Sequence, residues 1–204
     1  MYTMRKVLPA DFFDRPTLVV AKELLGKFLV RKVGKKEVAL MITETEAYDG
    51  FKDKASHASR GQTPRNTPMF GPPGTMYVYF TYGIHWMLNL VCGKEKYPAA
   101  VLIRGLESLE KVLRSGEIYR TPARKTFSKL NGPAKLTKFL QIDKSLNTKM
   151  LGKESGLWVE DRGVVVRPRD IERTPRVGIS YAGEYVDKPW RFLLDRAFFE
   201  EGVD

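Results

Sequence analysis

The chain has 204 residues, 43% of them hydrophobic, which suits one domain with a packed core. Lys and Arg outnumber Asp and Glu 35 to 24, a net charge of +11, so an anionic partner is expected, nucleic acid before a membrane surface. One cysteine, Cys92, and two histidines, His57 and His85, exclude an internal disulfide, a Cys/His zinc site and a four-cysteine cluster.

In chain order, the start MYTMRKVLPADFF has no apolar signal region, and no run of ~18 apolar residues follows. We therefore expect no membrane association and a reducing compartment: the cytoplasm, at the nucleoid if the source is prokaryotic. Asp14-Arg15-Pro16 opens a helix that Asp14 caps and Gly26 ends. Phe28–Val33 and Val38–Tyr48 are predicted strands joined by a turn at Gly34-Lys35-Lys36. In the second, a period of two puts Val38, Leu40, Ile42, Glu44, Glu46 and Tyr48 on one face. That face begins apolar and turns acidic, then aromatic, as a core face does where it opens into a site. Asp49–Thr75 is a long loop rich in Gly, Pro and basic residues, a length that points to function or disorder.

Met76–Phe80 and His85–Val91 form a predicted hairpin around Thr81-Tyr82-Gly83-Ile84, and Ala99–Ile103 is an apolar strand ending at Arg104. Leu106–Leu113 and Pro133–Leu140 read as helices; Gly156–Val166, Val177–Tyr181 and Trp190–Leu194 read as extended. Strands with a few helices, and no βαβ alternation, predict a single β-rich α+β domain over residues 1–204. Residues 101–153 hold twelve Lys/Arg against four Asp/Glu, a net +8 that favours anion binding over a merely solvated face.

Glu46 is the best candidate for a catalytic group. Same-face neighbours Glu44 and Tyr48 lie about 7 Å away, and a carboxylate in an apolar, aromatic setting can act as a general base toward water. The competing reading is a structural acid paired with an arginine. Tyr48, Tyr77 and Tyr79 are either stacking platforms for bases or core residues, whereas Tyr82 at a hairpin tip suits a wedge between bases. His57 can bond a base edge, and His85 beside Trp86 suits packing. Asn89 is a structural bridge or a pocket wall. Arg104 pairs with an acid of the site or binds phosphate. Asn131-Gly132-Pro133-Ala134-Lys135 starts a helix with free N–H groups and Lys135 nearby, a phosphate cradle.

ETEAY at Glu44–Tyr48, ASHA at Ala55–Ala58, QTPRN at Gln62–Asn66, PPGTMYVYFTYGIHWMLN at Pro72–Asn89 and NGPAKL at Asn131–Leu136 resemble the alkyladenine (3-methyladenine) DNA glycosylases. VGISYAGE at Val177–Glu184 and KPWRF at Lys188–Phe192 resemble the family's C-terminal pattern. The resemblance implies a curved, open-barrel-like antiparallel sheet with surrounding helices and a protruding hairpin that inserts into DNA. It implies a repair enzyme that flips damaged purines out of duplex DNA and hydrolyses the N-glycosidic bond without cutting the strand. It places the water-activating base at Glu46 and the base-stacking residues at Tyr48 and Tyr79. The base-contacting histidine falls on His57, the intercalating residue on Tyr82, the gate against guanine on Asn89 and a backbone contact on Arg104. Such an enzyme is expected to act as a monomer on double-stranded DNA without metal or cofactor, on alkylated and also deaminated or etheno purines. Electron-rich tyrosines should favour a cationic alkylpurine through cation–π contact. The alternatives are a non-catalytic nucleic-acid-binding module, which acids in a cationic face would weaken, and a metal-dependent nuclease.

Overall fold

The computed structural model describes residues 5–81, 83–108 and 129–199. Its strands are β1 (Lys6–Val7), β2 (Phe28–Val33), β3 (Lys36–Asp49), β4 (Met76–Thr81), β5 (His85–Val91), β6 (Ala99–Glu107), β7 (Lys129–Asn131), β8 (Leu157–Asp161), β9 (Ile171–Thr174) and β10 (Arg191–Leu194). All join one sheet in the order β1-β8-β2-β3-β6-β5-β4, with β10 between β3 and β9, and β7 beside β6. Every pairing is antiparallel, and the path is open, with β1 and β4 at its ends. The helices are short: α1 (Ala10–Phe13), α2 (Thr17–Glu23) and α3 (Pro133–Phe139). The β-rich α+β expectation matches this architecture.

β3 is the spine. Its first half pairs with β2 across a two-residue turn in which Gly34, at φ +59°, supplies the positive φ such hairpins need. Its second half pairs with β10 on one edge, while β6 runs along the other. Residues 40–47 are buried, because both faces of the strand are covered. On one face Thr45 donates to the Ala21 carbonyl of α2 at 2.8 Å. That face belongs to the main core of Val20, Leu24, Phe28, Met41, Val101 and Phe192, each side chain contributing about 1.5–3 kcal/mol by burial. The ladder between β3 and β6 is irregular around Glu44, which lies opposite Gly105. A Cβ at Gly105 would sit 2.8 Å from the Glu44 Cβ and 2.9 Å from the Thr43 hydroxyl, so the strands close there only around glycine.

Three sequence expectations are corrected. α2 starts after Pro16, in extended backbone, and no side chain caps it; Asp14 instead closes α1 through its own N–H. Leu106 and Glu107 belong to β6, where β3 and β7 pair on either edge and the ladder overrides helical preference; residues 109–113 lie outside the described residues. Val177–Tyr181 is not a strand: Gly178, at φ +76°, bends the chain, and the Val177 N–H serves a side chain instead of a ladder. The remaining elements lie close to their predicted places, with β8 the paired part of 156–166.

Candidate active site

Antiparallel register builds one row of residues straight across the sheet: Arg191, Glu46, Leu102, Asn89 and Tyr77, from β10 to β4. Because side chains alternate, residues two or four places away share the row's face. Tyr48, Arg104, Met87, Tyr79 and Thr81 therefore stand around it. Together with His57 of the 49–75 loop and Val177–Ile179 they line a cavity of about 270 Å³.

Glu46 is 0% exposed, and the three groups that hold it all line the cavity. One carboxylate oxygen accepts the Val177 N–H at 2.8 Å and lies 3.4 Å from Arg104 Nε. The other accepts the Tyr48 hydroxyl at 2.8 Å. Burial raises its pKa, and Arg104, the Val177 N–H and the Tyr48 hydroxyl oppose that rise. The outcome is a carboxylate more basic than usual and fixed in direction, the combination a general base requires. The Tyr48 hydroxyl is driven well above its ordinary pKa by burial and by the Glu46 charge, so it stays a donor. Glu44 is clamped by Arg104 Nε at 2.9 Å and Arg191 Nε at 2.7 Å. The structural reading of an acid paired with arginine fits Glu44 best, while Glu46 meets Arg104 at 3.4 Å and is held by a backbone N–H and a tyrosine hydroxyl as well.

The opposite wall is aromatic. His57 Nδ1 and the Tyr77 hydroxyl are 2.9 Å apart, and the His57 ring meets Tyr79 edge-on at 4.7 Å. Packing lowers the His57 pKa first and the Arg65 charge second, which keeps the imidazole neutral around pH 7. A neutral ring that meets Tyr77 with one nitrogen keeps the other as a donor or an acceptor, according to its tautomer, and His57 lines the cavity. The loop carrying His57 is ordered by Asn66, whose amide donates to the His57 and Gly61 carbonyls at 2.8 and 2.9 Å. Asn89 is 4% exposed and both bridge and wall: its amide donates to the Tyr77 carbonyl at 3.2 Å, and it lines the cavity.

Sequence reasoning missed the anchor behind this site. Arg176 is buried and makes a bidentate ion pair with Asp53, at 2.6 and 2.8 Å. It also donates to the Ala47 carbonyl at 2.8 Å and stacks against Tyr48 and Trp190, 4.8 and 5.0 Å from their centroids. It thus ties the loop to β3 and carries the adjacent Val177 N–H to Glu46. The available signal was a charged residue directly before the VGISYAGE block.

Lys135 is exposed on α3, whose Pro133 borders the cavity. Arg104 lies inside β6 rather than at its end, committed to the two acids. Tyr82 lies outside the described residues. His85 does not border the cavity, although Met87 and Asn89 of the same strand do. Burial pushes the Cys92 thiol up to about 12, which leaves it no nucleophile near neutral pH. Among the described residues no three His, Cys, Asp or Glu gather into a metal-binding group, and no helix is long and apolar enough to cross a membrane.

Comparison with known proteins adds to this geometry. The sequence model of the methylpurine-DNA glycosylase family matches residues 11–197. A Methanocella arvoryzae protein named "Putative 3-methyladenine DNA glycosylase" is 50% identical over 188 residues, 91% of each chain. Proteins of the same name from Streptomyces avermitilis and Prosthecochloris aestuarii are 44% and 47% identical. They match over 94% and 92% of this chain and 89% and 88% of their own lengths.

Proposed function

The chain belongs to the methylpurine-DNA glycosylase family, and from that membership we propose that it flips a damaged purine nucleotide out of duplex DNA and hydrolyses its N-glycosidic bond. The observation that carries the reading is Glu46: a fully buried carboxylate, its pKa raised, lying directly behind the cavity lining and oriented by three groups, Tyr48, Arg104 and the Val177 N–H, whose residues line the cavity.

The flipped base enters between Tyr48 and the Tyr79–His57 wall. Unstacking a damaged base costs a few kcal/mol, less than for a well-paired one. Tyr82, which follows β4 in sequence, is the residue that fills the gap in the duplex. Glu46 accepts a proton from water as the water oxygen bonds to C1′. The bond from C1′ to the base breaks, and its electron pair leaves with the base. The Glu46 charge also favours the positive charge that develops on the sugar. Arg104 favours the charged form of Glu46 and contacts the backbone of the target nucleotide, Lys135 meets the DNA backbone, and Asn89 excludes the exocyclic amine of guanine. The products are a free purine and an abasic site, with no strand cut. The enzyme acts as a monomer on double-stranded DNA, through a curved sheet whose hairpin reaches the duplex.

A panel of duplexes, each with one alkylated, deaminated or etheno purine, tests the reading. Strand breaks should appear at a lesion only after alkali. No break with any lesion, or breaks without alkali, would contradict it. Base release should rise with pH as Glu46 loses its proton, with a midpoint above the ordinary carboxylate pKa because burial disfavours the charge. A profile flat across that window would move the base function elsewhere.

A further inference from the structure

We propose that Arg65 sets the charge preference of the cavity, disfavouring a cationic purine relative to a neutral one. The inference rests on the cavity being a base pocket, and its ground is the way the two tyrosine walls are backed. Arg176 Cζ lies 4.8 Å from the Tyr48 ring centroid, and Arg65 Cζ lies 5.1 Å from that of Tyr79. Neither guanidinium lines the cavity, but both rings do.

The two arginines differ in what balances them. Arg176 is buried and matched by both oxygens of Asp53. Arg65 is exposed and donates to the Phe80 carbonyl at 3.2 Å, and among the described residues no carboxylate pairs with it. Its field reaches the site, since it lowers the pKa of His57 and opposes the rise in that of Tyr77. The aromatic wall therefore carries one unmatched positive charge, and His57 adds no balancing negative one.

An aromatic ring attracts a cation through the negative potential over its face. A guanidinium already against the ring draws on that potential and repels a second cation, a repulsion that solvent weakens because Arg65 is exposed. A neutral purine keeps its stacking and its hydrogen bond to His57. The expectation that electron-rich tyrosines favour cationic alkylpurines is thus reversed on the Tyr79 side.

The test compares two duplexes, one with a 7-alkylguanine, whose imidazole ring carries a formal positive charge, and one with neutral hypoxanthine. Single-turnover release is measured for wild type, Arg65→Gln and Arg65→Lys. Arg65→Gln should raise the cationic-to-neutral ratio by about fivefold, while Arg65→Lys stays within about twofold of wild type because the charge remains. An unchanged ratio in Arg65→Gln, or an equal rise in both variants, overturns the proposal. Binding of the same duplexes on a Glu46→Gln background yields the ratio without chemistry. If the Glu46→Gln background shows the expected binding ratio but protein with Glu46 intact releases no base from either duplex, the glycosylase reading is overturned and this one stands.

Discussion

On one side of the cavity, Glu44, Glu46, Arg104, Arg191, Arg176 and Asp53 form a network of buried or half-buried charges in which each acid meets an arginine. On the other side, Tyr77, Tyr79, His57 and the exposed Arg65 form a wall of rings whose cation meets no acid among the described residues. The first region centres on β3, β6 and β10, with Asp53 and Arg176 joining it from loops. The second lies at the sheet's open end, on β4 and a loop. Charges removed from water hold position only when matched, so the proposed chemistry falls where the acids are fixed by strand register and by the Arg176–Val177 segment. The proposed recognition falls where rings border open space and one charge can act on a ligand.

That contrast can be broken first at Asp53. Asp53→Asn leaves Arg176 buried without its counter-charge and should cost about 3–5 kcal/mol in denaturant unfolding. Arg65→Gln, at the exposed wall, should stay within about 0.5 kcal/mol of wild type. Equal losses would show that the two sides are not built differently. Next comes Gly105→Ala, whose new Cβ collides with Glu44. It should cost about 1–3 kcal/mol and slow base release while leaving affinity for a lesion duplex nearly unchanged. A variant as stable and active as wild type would mean that the β3–β6 ladder yields easily. The smallest effect is expected at Asn89. Asn89→Ser removes the reach of the amide and should raise guanine release relative to hypoxanthine release by about tenfold. Because the amide also holds the Tyr77 carbonyl, roughly 1 kcal/mol of stability should go with it. A fixed ratio with both rates falling together would make Asn89 purely structural.

That Glu44, Glu46 and Tyr48 share one face of β3, and Tyr77 and Tyr79 one face of β4, was legible from alternation; the register that aligns Glu46, Leu102, Asn89 and Tyr77 across three pairings was not. The family motifs point to the same positions. The charge network was not legible. Arg176 meets Asp53 across 123 residues, and Arg191 meets Glu44 across 147. Sequence patterning carries no signal at such separations, and the count of basic residues that suggested an anionic partner includes arginines spent on internal acids. Val177–Tyr181 was misread for a related reason. Its apolar residues suggested a strand, but the backbone there turns at Gly178 so that one N–H can reach Glu46. His57 was legible only as a loop residue near aromatics; its bond to Tyr77 depends on how Asn66 folds the loop.

The central claim is that Glu46 is the base that activates water. Glu46→Gln keeps the shape of the side chain and removes its basicity. Single-turnover release from a hypoxanthine duplex, measured beside equilibrium affinity for the same duplex, tests the claim most directly. The account predicts a release rate lower by at least about 100-fold, with affinity within about threefold of wild type. A release rate within a few-fold of wild type would contradict it and direct the search for the base to Glu44.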